Sequence, residues 1–177
     1  QALAKIGVPI VRTITGDGIF EGANAMWVDR KTVILATSSR TNRSGYEQVE
    51  YELKRMGVQE ILHMQIPYSN IHIDGILNFA SHDVVMVHAQ QVPYDICYAL
   101  KRKGIKILEA PSTKEVVETL GCNFVAIKPG LVVQPAGNPL CREMLEKNGI
   151  KVIPVEMSEF LKGRGADHCA TAFLKRG

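Results

Sequence analysis

LVVQPAGNPLCREMLEKNGIKVIPVEM, residues 131–157, changes its apolar rhythm twice within one stretch. LVVQPA reads as a short apolar strand, the pattern turns helical from Pro139 to Lys147, and KVIPVEM resumes as a strand. Proline in a first helical turn loses no hydrogen bond, and Gly149, just past the last turn, takes a left-handed cap at little steric cost. Immediately upstream, NFVAIK and the turn Pro129-Gly130 make LVVQPA the second arm of a hairpin. The order is therefore strand, strand, helix, strand.

The same order recurs at a period of about 40 to 50 residues, the range in which repeat architectures and propellers show themselves. AMWVD, the turn DRK and TVILAT precede a helix from about Gly45 to Met56 and the strand EILHMQI. Val49, Leu53 and Met56 form one stripe of that helix, with Glu and Lys opposite. GILNFA, the turn SHD and VVMVHA precede a helix from Pro93 to Arg102 and the strand IKILEA. A short helix at Ser112 to Leu120 then leads into the copy quoted above. Helix, glycine and returning strand thus repeat at Met56-Gly57, Lys103-Gly104 and Asn148-Gly149.

One such unit cannot bury its apolar face alone, so the units must pack around a shared axis. The fold class this predicts is α/β, a propeller-like ring of ββαβ modules at about residues 20–70, 71–110 and 111–157, with a closing strand at 168–176. LAKIGVPIVRTI reads as the tail of a further module: a helix end, a glycine and a strand. The expectation is one domain over residues 1–177 that opens in mid-module and lacks an N-terminal stretch.

With 46% hydrophobic and 22% charged residues, the chain has an ordinary globular composition. A net charge of +3 is mild, and Lys101-Arg102-Lys103 reads as one solvated helix face, so nucleic acid is not an expected partner. No apolar run approaches the ~18 residues of a membrane span, and QALAKIGVPI lacks a signal-peptide layout, so the expected location is cytoplasmic. The cysteines at 97, 122, 141 and 169 show no zinc-ligand spacing, and neither a metal nor a cofactor is expected. Cys97, Cys122 and Cys141 read as small buried hydrophobes.

Polar residues gather where one module hands over to the next: Phe20-Glu21-Gly22-Ala23-Asn24, Thr37 to Asn42, His72-Ile73-Asp74, and Arg164 to Cys169. Each has an ordinary reading. Glu21 can be an exposed hairpin acid, and Ser-Arg-Thr-Asn can cap the following helix. Strand alternation puts His72 and Asp74 on one face, which suits a shared ligand or a surface ion pair. Cys169 can be an idle thiol or a nucleophile in a shaped loop.

Taken in order, these segments resemble the guanidino-group-modifying superfamily of arginine deiminases, dimethylarginine hydrolases and amidinotransferases, which are five-module pentein propellers. The family patterns F/I-E-G-G-D, S-x-R-T, H-L/I-D and H-C-x-T stand here as Phe20 to Asn24, Ser38-Ser39-Arg40-Thr41, His72-Ile73-Asp74 and His168-Cys169-Ala170-Thr171. The resemblance implies that Cys169 attacks a guanidinium carbon, His72 moves protons, Glu21 orients His72 and Asp74 grips the guanidinium. It further implies that Arg40 and Arg164 hold a substrate carboxylate, and that Asn24 faces the substrate where the family has an aspartate. His168 is read as a loop-positioning residue turned away from the pocket. Ala166 and Asp167 replace deiminase glycines, and Asp167 should oppose thiolate formation unless it points outward.

The activity so implied is hydrolysis of the guanidino group of arginine or a derivative, with transfer of the amidino group to an amine as the alternative. A non-catalytic binding fragment is a third reading. The implied partner is a small guanidino compound, with a homo-oligomer or a complementary N-terminal fragment left open.

Overall fold

The computed structural model describes residues 2–174. After a short helix α1 (Ala2–Lys5), the chain forms β1 (Ala25–Trp27), β2 (Thr32–Thr37), α2 (Arg43–Arg55) and β3 (Glu60–Gln65). A second unit comprises β4 (Leu77–Phe79), β5 (Val84–Val87), α3 (Tyr94–Arg102) and β6 (Lys106–Glu109). Helix α4 (Thr113–Glu118) leads to a third: β7 (Val125–Lys128), β8 (Leu131–Pro135), α5 (Pro139–Lys147) and β9 (Lys151–Val155). Helix α6 (Ser158–Lys162) follows.

The three units form three separate three-stranded sheets, ordered β1-β2-β3, β4-β5-β6 and β7-β8-β9. In each, the hairpin is antiparallel and the strand returning from the helix pairs parallel to the hairpin's second arm. The ββαβ repeat read from sequence is present three times.

Strand β2 is buried along nearly its whole length because both its faces are covered. Val33 and Leu35 pack with Tyr46 and Leu53 of α2, whereas Ile34 and Ala36 join a core with Ile96 and Leu100 of α3. Strand β5 repeats this arrangement. Val85 and Val87 face the core containing α3, and Val84 and Met86 face a core containing Cys141 and Leu145 of α5. Each of these two sheets therefore rests one face on its own helix and the other on the next unit, which brings the polar seams to the joins.

Three expectations are corrected. Residues 8–15 form no strand, because the second arm of every hairpin is already flanked on both sides. His72-Ile73-Asp74 is no strand either, since Ile73–Gly75 is a 3-10 turn. Residues 167–170 form a turn and no strand follows through Leu174; the last two positions of the expected strand 168–176 lie outside the described residues. No helix of the described residues is long and apolar enough to cross a membrane.

Candidate active site

Asn24 ends a 3-10 turn before β1 and is fully buried. Its Nδ2 donates to Ser38 Oγ at 3.1 Å, Thr41 Oγ1 at 3.0 Å and the Ile71 carbonyl at 3.2 Å. One amide group thereby bolts together the segment carrying Glu21, the loop carrying Arg40 and the approach to His72. This role in the seam leaves Asn24 Oδ1 buried and without a hydrogen-bond partner among the described residues.

The backbone N–H of Glu21 donates to Thr41 Oγ1 at 3.2 Å. Glu21 Oε2 makes a short contact with His72 Nε2, and Oε1 accepts from Arg40 Nη1 at 3.2 Å. The acid thus orients the imidazole. The Arg40 pair is largely solvated and therefore weak.

Ile73 is wholly buried in the core between the first two units, which fixes the turn on which His72 and Asp74 stand. The Asp74 side chain is only 2% exposed. Its Oδ2 accepts from His168 Nδ1 at 2.8 Å and lies 3.8 Å from Cys169 Sγ. Cys169 sits in a single turn closed by Ala170 N–H to the Ala166 carbonyl at 3.0 Å. Because 167–170 is a turn, strand alternation does not apply, and His168 faces Asp74 instead of turning away. Burial pushes the Cys169 thiol above its usual range, and the Asp74 carboxylate adds to that shift.

The sequence pattern of the arginine deiminase family matches residues 89–176. The inosamine-phosphate amidinotransferase StrB1 of Streptomyces griseus superposes with a TM-score of 0.77 at 18% identity, over 94% of this chain and 49% of that one. The chain belongs to the pentein superfamily. Among curated relatives, the uncharacterized protein YkgA of Bacillus subtilis is 26% identical over 91% of this chain and 54% of its own. The arginine deiminase of Bacillus cytotoxicus is 25% identical over 88% of this chain and 47% of its own. This pentein chain spans about half the length of the curated relatives it matches.

Three further residues lie close to Cys169 or its partners, in the chain or in space. Arg164 follows α6 in the left-handed region (φ 59°) with its N–H on the Leu161 carbonyl at 2.9 Å. Among the described residues its exposed guanidinium has no hydrogen bond or ion pair. Asp167 is 6% exposed and burial lifts its carboxyl to about 6, yet the acid that bears on the Cys169 thiol is Asp74. Asn123, which no motif singles out, accepts from the backbone N–H groups of His168 and Cys169 at 3.1 and 3.3 Å. Its only sequence signal is an asparagine behind Gly121-Cys122 at the mouth of a hairpin, and nothing there points to a loop 45 residues away. Among the described residues no three His, Cys, Asp or Glu side chains are arranged to hold a metal ion.

Proposed function

We propose that this pentein chain carries the chemistry of a cysteine-dependent hydrolase acting on the guanidino group of arginine or an arginine derivative. The observation that carries the reading is the approach of Cys169 Sγ to the buried Asp74 carboxylate at 3.8 Å, on the same turn as the Glu21-oriented His72. A buried acid is a strong partner for a planar cation, because charge-assisted hydrogen bonds gain in a site that excludes water. A guanidinium seated on Asp74 also neutralises the charge that holds the thiol up, so the bound cation helps to create the thiolate that attacks it.

The reaction then runs in two halves. The thiol gives up its proton, which passes to His72, and the sulfur bonds to the guanidinium carbon as the C=N electron pair moves onto nitrogen. Protonated His72 gives its proton to the departing nitrogen, which leaves as ammonia from arginine, and an amidino-thioether remains. His72, now neutral, takes a proton from water as the oxygen bonds to the same carbon. Collapse breaks the C–S bond: the hydroxyl proton passes to solvent as the C=O forms, His72 returns its proton to the sulfur, and citrulline and the resting thiol are left. Glu21 keeps the imidazole in place, Arg164 and Arg40 hold the substrate carboxylate, and Asn24 secures the wall they share. All four cysteines are free thiols, and a reducing, cytoplasmic compartment is where we place the protein.

The fold likeness to an amidinotransferase favours one alternative, in which an amine replaces water in the second half. Incubation with arginine, followed by separate assays for citrulline, ornithine and ammonia, tests both. The hydrolase reading expects citrulline from the wild type and none from Cys169→Ser. Product formed only when an acceptor amine is supplied moves the assignment to transfer. No product from the full-length protein under either condition removes both and leaves a non-catalytic binding unit.

A further inference from the structure

Asn123 lies in the turn that leads into β7 and is 1% exposed. Leu120, three residues earlier, is in the left-handed region (φ 54°), and its carbonyl accepts from the Asn123 N–H at 2.8 Å. The Asn123 carboxamide is used at both ends. Its Nδ2 donates to the Asp74 carbonyl at 3.3 Å. Its Oδ1 accepts from the N–H groups of His168 at 3.1 Å and Cys169 at 3.3 Å, and lies 3.4 Å from Cys169 Sγ. The His168 N–H also reaches the Asn123 backbone carbonyl at 3.2 Å. Two backbone N–H groups require an acceptor, so the amide orientation is fixed: turned round, its NH2 group would face two donors. A single side chain thus ties the turn bearing Asp74 to the loop bearing Cys169.

We propose that Asn123 is a positioning residue for the reacting thiol, setting the approach of Cys169 Sγ to Asp74 and accepting the thiol's hydrogen bond while the site is empty. The proposal rests on the reading of Cys169 as the nucleophile. Its chemical content is the sign of the field at sulfur. An amide that turned its NH2 group to the sulfur would lower the thiol, but here the Oδ1 end faces it, so a thiol can donate to it, whereas a thiolate would face that oxygen and the Asp74 carboxylate together. The neutral thiol is therefore the resting form, and it is given up only when a cation arrives on Asp74. Asn123 in this way couples sulfur activation to occupancy of the site and spares the exposed Cys169 from adventitious electrophiles.

The test follows alkylation of Cys169 by iodoacetamide across pH, mapped by mass spectrometry, with Cys169→Ser as the blank. Asn123→Asp keeps the shape and both acceptor bonds, gives up the Nδ2 donation to the Asp74 carbonyl and adds a charge beside the sulfur, and should raise the midpoint of the profile by about one pH unit. Asn123→Ala removes the side-chain acceptor, leaving the Cys169 N–H without it while the His168 N–H keeps the backbone carbonyl of residue 123, and should speed alkylation at neutral pH by about tenfold. A purely structural asparagine would alter the melting temperature and leave the profile in place. If Asn123→Asp folds and keeps the wild-type midpoint, the proposal is overturned, whether or not Asn123→Ala folds. Alkylation needs no substrate, so this result stands apart from the arginine assay. Turnover surviving in Cys169→Ser would instead overturn the functional reading.

Discussion

Asp167 carries a carboxyl lifted to about 6 by burial, and its Oδ2 has no hydrogen-bond partner among the described residues. A carboxylate raised in the folded state binds protons there that the unfolded chain has already lost. Stability should therefore fall as pH rises from about 4 to about 6, the window between the unfolded and folded values. A carboxyl displaced that far costs at most about 3 kcal/mol at neutral pH, and partial hydration should bring this nearer 1 to 2 kcal/mol. Asp167→Asn should be more stable than wild type by that amount at pH 7 and equal to it at pH 4, as read by urea denaturation at both values. A wild type and variant that differ equally at both pH values would show that the charge is not the cause. Glu21, His72, Asp74 and Cys169 are singled out in the sequence only by the family resemblance of their ordered segments, and the structure brings Glu21 to His72 and Asp74 to Cys169. Asn123 and the facing of His168 are not legible there, because both depend on a turn that closes over contacts 45 or more residues apart.

At the scale of elements, the N-terminus of α2 holds the segment that carries Glu21. Asn42 caps the helix by accepting from the Gly45 N–H at 2.9 Å, also accepts from the Ile19 N–H at 3.0 Å, and donates to the Asp17 carbonyl at 2.7 Å. Gly45 lets the two backbones touch, since a Cβ there would stand 2.1 Å from the Ile19 carbonyl oxygen. In an open helix, Gly→Ala stabilises by about 1 kcal/mol. Gly45→Ala should instead destabilise by about 2 kcal/mol, because Ile19 must retreat. Thermal melting should register this as a drop of roughly 4 to 8 °C for a chain of this size. The retreat also draws Glu21 from His72, so under the proposed function arginine turnover should fall in kcat more than in KM. The cap can be read from sequence because it is local chemistry. The close approach cannot, because it brings together residues 26 positions apart. The same division explains why the limits of α5, punctuated by Pro139 and Gly149, agree between sequence and structure, while those of His72-Ile73-Asp74 do not. Two polar residues around one apolar residue fit a strand and a 3-10 turn equally well, and burial of Ile73 decides between them.

The whole molecule applies one packing rule twice, then leaves it open. The first sheet's second face is covered by α3 and the second sheet's by α5, so β2 and β5 are buried on both sides. The third sheet covers Val132 and Val152 in the core that holds α5, but its other face leaves Leu131 and Val133 half-buried and Ile153 39% exposed. Nearby Ile127 is 57% exposed. The repeating pattern is readable because period and punctuation are local, whereas which sheet face stays uncovered depends on how the units stack. An apolar face of this kind loses free energy in water at about 25 cal/mol per Å² and tends to find a cover. We therefore expect the chain to self-associate with rising concentration in sedimentation velocity. Ile127→Lys combined with Ile153→Lys should shift it toward monomer without lowering the melting temperature, because neither side chain belongs to a buried core cluster. Two outcomes would refute this: a wild type that sediments as monomer at every concentration, or a lysine variant that associates as strongly. In the second case the contact would have to lie elsewhere, with the exposed Ile10 and Val11 of the N-terminal segment the next surface to substitute.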